Sequence, residues 1–159
     1  MKKLLSIGLI SAVLLSACNS YNTVLKSTDY DYKYEVAKEC YAAGEYTKAY
    51  QLLEELIIVM KGYDRGEESL FMLSMCYYYL NDYETAAIYL DRYVKSYPKG
   101  EYTELARFYS GKALFQQSPD PRLDQAPTYT AINMLQDFLD YYPYSDKRKE
   151  ADEMIYDLQ

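Results

Sequence analysis

The groups able to do chemistry in this chain are few in kind. Histidine is absent, which removes the usual general base, the Ser-His-Asp arrangement and the commonest zinc ligand. The 24 acidic residues supply carboxylates, yet no two are placed as an acid/base pair. No P-loop, G-x-G-x-x-G stretch or metal-spaced cluster appears either. An enzyme is not expected. What remains is three thiols and 22 tyrosines in 159 residues. Cys40 and Cys76 fall inside helical patterns where a small apolar residue packs, so two buried thiols are favoured over a bridge. Cys18 is placed differently. It follows an apolar run, Leu4 to Leu15, that is preceded by Lys2 and Lys3 and closed by Ser16 and Ala17.

A charged start, about a dozen apolar residues and small residues at the end form a secretory signal, too short for a spanning helix. Leu15-Ser16-Ala17-Cys18 resembles a bacterial lipobox. That resemblance implies cleavage of a signal peptide over 1–17, a diacylglycerol on the Cys18 thiol and an acyl chain on the new amine, with no other cofactor. An ordinary signal with a chance cysteine is the alternative. Each buried methylene contributes about 0.8 kcal/mol, and two or more chains hold a protein stably. Residues 18–29, polar apart from Tyr21, Val24 and Leu25, read as a lipidated flexible tether. Asn19 stands where an aspartate would retain a lipoprotein in the inner membrane, and no acidic cluster of a surface-export type follows Cys18. The expected location is the outer membrane, periplasmic face, held by the lipid.

Loss of the first 17 of 159 residues, Lys2 and Lys3 among them, leaves 142 and moves the formal charge from −7 to −9. That is enough chain for one domain with a core. The acidic balance argues against nucleic acid and against a basic face adhering to lipid.

The elements that carry these residues are set by a repeat. Gly44-Glu45-Tyr46-Thr47-Lys48-Ala49 recurs 37 residues on as Asn81-Asp82-Tyr83-Glu84-Thr85-Ala86. The same shift carries Ala37 to Ser74 to Gly111, Leu53 to Leu90 and Leu56 to Tyr93. A shift of 45 carries Ala86, Leu90 and Tyr93 to Ala131, Leu135 and Phe138, and Pro98 to Pro143. An insertion of eight residues within Ser118 to Thr128 reconciles the two offsets, and a longer turn is its default reading. Apolar spacing makes each unit two helices, with first helices near 30–43, 65–80 and 101–116 and second helices near 46–61, 83–97 and 127–142. Asp64 with Glu67, and Asn81 with Glu84, have the spacing of an N-cap and its N3 partner. A last helix near 145–158 opens a fourth unit.

These residues resemble the tetratricopeptide repeat. Its small slot in the first helix is met by Ala37, Ser74 and Gly111, and its aromatic after the turn by Tyr46 and Tyr83. Its small residue in the second helix is met by Ala49, Ala86 and Ala131, and its closing proline by Pro98 and Pro143, while Lys61 departs from it. The fold class expected is all-α: a tetratricopeptide-like solenoid of antiparallel helix pairs, about three repeats plus one C-terminal helix. Its units are 30–62, 65–98 and 101–143, with a partial fourth over 145–159. Such stacks enclose a concave groove lined by the first helices. In this register the groove wall carries Tyr34, Lys38 and Tyr41, then Phe71, Met75, Tyr78 and Tyr79, then Phe108, Lys112 and Phe115. Its seven aromatics suit a segment bearing aromatic side chains, and Lys38 and Lys112 could meet a peptide carboxylate. For Phe71, Tyr78 and Phe108 simple packing is an equal alternative. Tyr46, Tyr83, Tyr93 and Phe138 occupy packing slots and are expected in the core.

A lipobox followed at once by such repeats resembles the BamD family, lipoprotein subunits of the machinery that assembles outer-membrane β-barrels. The likeness runs through "YNTVLKSTDYDYKYEVAKECYAAGEY", the Tyr-Pro pairs at Tyr97-Pro98 and Tyr142-Pro143, and "PDPRLDQAPTYTAI", in a Bacteroidetes style. It implies a non-catalytic scaffold that binds the POTRA domains of the barrel-inserting subunit and receives aromatic-ended signals of unfolded barrel proteins. The family usually has about five repeats, so the chain is expected either to be truncated or to use Lys147 to Leu158 as a cap. A periplasmic repeat adaptor with another protein partner shares most of these features. A glycan-binding lipoprotein would explain the tyrosines but would want tryptophan, which is absent.

Overall fold

The computed structural model describes residues 21–120 and 122–159. The expected signal peptide and cleavage site, and Cys18 with them, lie outside the described residues. The described residues form seven helices: α1 Tyr30–Ala42, α2 Tyr46–Val59, α3 Asp64–Tyr79, α4 Tyr83–Ser96, α5 Thr103–Gln116, α6 Ala126–Tyr141 and α7 Arg148–Leu158. A further helical turn covers 21–25, and no strand occurs among the described residues. Each helix packs on its chain neighbours, with added contacts of α1 on α3 and of α5 on α7. This is an all-α, tetratricopeptide-like solenoid.

The turns explain why the units stay in register. Gly44 between α1 and α2 has φ of 75°, and Asn81, its equivalent between α3 and α4, has φ of 63°. Only glycine and, less readily, asparagine adopt that left-handed conformation without large strain. Asp29 caps α1 by accepting from the Tyr32 backbone N–H at 3.0 Å, and Asp82 caps α4 by accepting from Thr85 at 3.1 Å. Two expected caps are therefore corrected: Asn81 serves the turn and its neighbour Asp82 the cap, while Asp64 is already inside α3, behind Tyr63. Pro127 sits in the first turn of α6, where no N–H is required.

The small slots are filled as close helix approach demands. Ala37, Ser74, Ala49, Ala86 and Ala131 are fully buried, and Ser74 returns its hydroxyl to the Leu70 carbonyl at 2.7 Å. At Gly111 an added Cβ would lie 2.7 Å from Leu135 Cδ2, so α5 and α6 touch there with no room for a methyl group. One apolar cluster joins the first two units, and a second joins Phe108, Leu135, Phe138 and Leu139 to Ala151, Met154 and Ile155 of α7. Cys40 and Cys76 are buried free thiols, and burial pushes Cys76 up to about 12.

The expected flexible tether over 18–29 is corrected from residue 21 onward. Val24 is buried in the core, and Tyr21 donates its hydroxyl to the Lys48 carbonyl at 2.7 Å. The polar composition of this stretch concealed three apolar residues at helical spacing that can all face α1 and α2.

Candidate functional site

The ten expected groove residues divide by position along the first helices. Toward the helix starts lie Tyr34, Phe71 and Phe108, equivalent positions 37 residues apart, and all three are buried. Tyr34 donates its hydroxyl to Glu68, which also pairs with Lys38 at 2.9 Å, while the Arg65 guanidinium lies 5.0 Å from the Tyr34 ring. Burial, with the Glu68 hydrogen bond second, pushes Tyr34 up to about 12. Phe71 stacks on Tyr102 with centroids 4.5 Å apart and meets the edge of Tyr93 at 5.8 Å. Phe108 meets Phe138 at 5.4 Å, and Met75 is buried between the units. The expectation that these four side chains present surface to a ligand is corrected: each is enclosed by its own chain. Arg65, in the first turn of α3, lies over Tyr34; Tyr102, just before α5, stacks on Phe71; and Phe108 is enclosed with Phe138 in the second cluster.

Glu67 holds the loop that leads into α5. It accepts from the Tyr93 hydroxyl and from the Glu101 backbone N–H at 2.8 Å, and the Tyr93 oxygen in turn accepts from the Tyr102 N–H at 3.1 Å. One unit on, Glu104, the equivalent of Glu67, accepts from the Ser145 hydroxyl at 2.6 Å. The carboxylate in the first turn of each of these two first helices thus ties down the start of the next unit.

Toward the helix ends the picture reverses. Tyr79 is 43 % exposed and stacks on Tyr46 at 4.6 Å, with Tyr41 beside both at 6.5 and 5.8 Å. Tyr78, half-buried, meets Tyr79, Tyr83 and Tyr109 edge-on at 5.8, 5.4 and 5.1 Å. Offset and edge-to-face contacts of this kind contribute about 0.5–1.5 kcal/mol each beyond area burial. Phe115 is half-buried against the second cluster. The strip thus runs from the first unit to the third along the ends of the first helices. Tyr46 and Tyr83, expected in the core, are partly buried at its margin and belong to this strip, whereas Tyr93 and Phe138 are fully buried. Tyr109 was not expected here; it follows the buried Phe108 in sequence, and no spacing marks it.

Lys38 and Lys112 are both already paired. Lys112 bonds Glu150 of α7 at 2.6 Å and lies 5.7 and 5.8 Å from the rings of Phe108 and Tyr109. Burial lowers its pKa, but the Glu150 hydrogen bond and nearby charges outweigh that and leave it raised. Glu68, pushed up by burial, is held below its ordinary value by the Tyr34 and Lys38 hydrogen bonds. A peptide carboxylate at either lysine would compete with a carboxylate of the chain itself.

Comparison with known families gives a match over residues 27–159 to YfiO, described as outer membrane lipoprotein. The chain belongs to that family. This is the BamD family that the tether and insertion sequences resemble. Among individual curated proteins none matches. The YfiO match spans the whole helical-repeat region just described, so the aromatic edge and the carboxylate-tied loops are features of a YfiO-family chain. Among the described residues no helix is long and apolar enough to cross a membrane, and no group of His, Cys, Asp or Glu is placed to hold a metal ion.

Proposed function

We propose that this chain is a lipid-anchored scaffold of outer-membrane β-barrel assembly, attached through Cys18 at the periplasmic face and receiving aromatic-ended segments of unfolded barrel proteins along its groove. The observation that carries the reading is the partly buried strip of Tyr41, Tyr46, Tyr78 and Tyr109 around Tyr79, which keeps 43 % of its surface in solvent. A chain of alternating outward aromatic residues, as barrel strands have, meets such a strip ring against ring. Family membership supports the same setting. The scaffold has no chemical step of its own; its work is to hold partners together, the POTRA domains of the barrel-inserting subunit among them.

The test is calorimetry on the chain from residue 18 with Cys18→Ser, titrated with a synthetic C-terminal barrel strand ending in phenylalanine and with its aromatic-to-alanine counterpart. Saturable binding of the first alone, weakened by Tyr78→Ala and Tyr79→Ala, is the expected result. Equal heats for both peptides would remove the aromatic reading of the groove. Attachment is checked separately, by the mass of the protein recovered from outer-membrane fractions.

A further inference from the structure

The stretch from Tyr21 to Leu25 is clamped to the first helix pair rather than loose. Lys33, only 1 % exposed, points its ammonium at the Leu25 carbonyl, 3.1 Å away, and pairs with Glu55 of α2. A buried charge is tolerated only when paired in this way, so Lys33 ties the backbone of the 21–28 segment to the first helix pair. Val24 is buried beneath it, and Tyr21 bonds both the Lys48 carbonyl at 2.7 Å and the Gln51 side chain at 3.0 Å. The clamp begins three residues after Cys18. Whatever path those residues take, they span at most about 11 Å.

We infer that the outer face of the first unit, around Tyr21 and Tyr32, is held against the lipid headgroups by this short leash, while the third unit stands away from the bilayer. The inference rests on acylation of Cys18. Tyr21, Val24, Tyr32 and Val36 share one open cleft of about 210 Å³ with Glu45 and Lys48, so Tyr32 lies close to the end of the leash. Glu39 and Glu45 face the same cleft against the single charge of Lys48, a balance that does not attract anionic lipid. Contact with the headgroups is therefore imposed by chain length and not by adhesion.

The chain contains no tryptophan, so one introduced indole reports its own distance from the membrane. Tyr32→Trp and Tyr144→Trp, both at exposed positions, place the probe in the first unit and at the α6–α7 turn. The chain from residue 18 is coupled through Cys18 to a maleimide lipid, the buried Cys40 and Cys76 being shielded, and inserted into phosphatidylcholine vesicles carrying dansyl headgroups. Energy transfer from Tyr32→Trp is expected to exceed that from Tyr144→Trp severalfold. A Gly/Ser insertion of about ten residues after Asn19, which behaves as a flexible coil, is expected to bring the two together. Equal transfer at the two positions, or transfer from Tyr32→Trp that the insertion leaves unchanged, would overturn the inference. Because the lipid is attached chemically, failure of cells to acylate Cys18 shows separately, as an unmodified mass of the cellular protein.

Discussion

The two edges of the first helices use the same kind of residue to opposite ends. At the starts, Tyr34 is covered by Arg65 of the next unit and Phe71 by Tyr102 and the loop that Glu67 holds, while Phe108 is enclosed with Phe138 and the apolar residues of α7. At the ends, Tyr41 and Tyr78 are only partly buried against the core, and Tyr79, stacked on Tyr46, keeps 43 % of its surface in solvent. The difference lies in the stretch of chain that passes over each aromatic. The starts of the first two units are overlaid by the first residues of their successors, whereas their ends face the short turns at Gly44 and Asn81. The starts therefore hold the solenoid together, while the ends keep aromatic surface in solvent, and it is this surface that the proposed function gives to a partner.

The largest effect expected from this division is at Phe108. Removing a fully enclosed phenylalanine leaves a cavity that the packed core fills only in part. Phe108→Ala is expected to lower unfolding free energy by about 3–5 kcal/mol in urea titrations followed by helical circular dichroism. A loss below about 1 kcal/mol would mean that the starts are no better sealed than the ends. The loop itself is tested at Gly100. A Cβ there would lie 2.3 Å from Glu67 Oε1 and 2.6 Å from the Tyr93 hydroxyl, the pair that fastens Glu101 and Tyr102. Gly100→Ala is expected to cost about 1–3 kcal/mol, the range for overpacking a filled site. Exchange of the Glu101 and Tyr102 amides should rise with it.

The repeat, its small slots and the placement of all seven helices within a few residues were legible in the sequence, because each depends on spacing that a period of 37, lengthened to 45 by one insertion, reproduces. What sequence reasoning missed depends on the loops between units. The equivalence of Tyr34, Phe71 and Phe108 with each other was visible, but the closure of Tyr34 by Arg65 and of Phe71 by Tyr102 needs the path of the chain after each second helix. Tyr46 was misread for the same reason in reverse: it fills a packing slot in the pattern, yet its ring leans out to stack on Tyr79 of the next unit. The clamp on 21–28 was hidden because a single lysine, Lys33, is what draws a polar stretch into the fold, and lysine is ordinarily read as surface.

The sealed edge should also answer to acid. Glu68 is held below its ordinary value of 4.5 by the hydrogen bonds from Tyr34 and Lys38, against the upward push of burial. A carboxylate lowered in the folded state contributes stability that is present above the unfolded value and is lost as pH falls through the folded one. Glu68→Gln is expected to melt below the parent at neutral pH, with the gap closing as pH drops below 4.5. A gap that stayed constant with pH would assign the loss to packing rather than to charge.

The smallest stability change, and the sharpest test of the comparison, belongs to Tyr79. Its ring lies between the first unit and the second, stacked on Tyr46 at 4.6 Å, and nearly half of its surface is free. Truncation removes that stack and edge contacts to Tyr41 and Tyr78, but no cavity forms because solvent already reaches the site. Tyr79→Ala is expected to cost about 1 kcal/mol of stability, the scale of one aromatic pair. Its effect on binding an aromatic-ended peptide should exceed that of any substitution of equal stability cost at the sealed edge. A Tyr46→Ala/Tyr79→Ala cycle separates the two roles, since the pair's own coupling appears in unfolding and the partner's in calorimetry. If Tyr79→Ala destabilised the chain as much as Phe108→Ala, the open edge would be core, and the division between holding and receiving edges would fail.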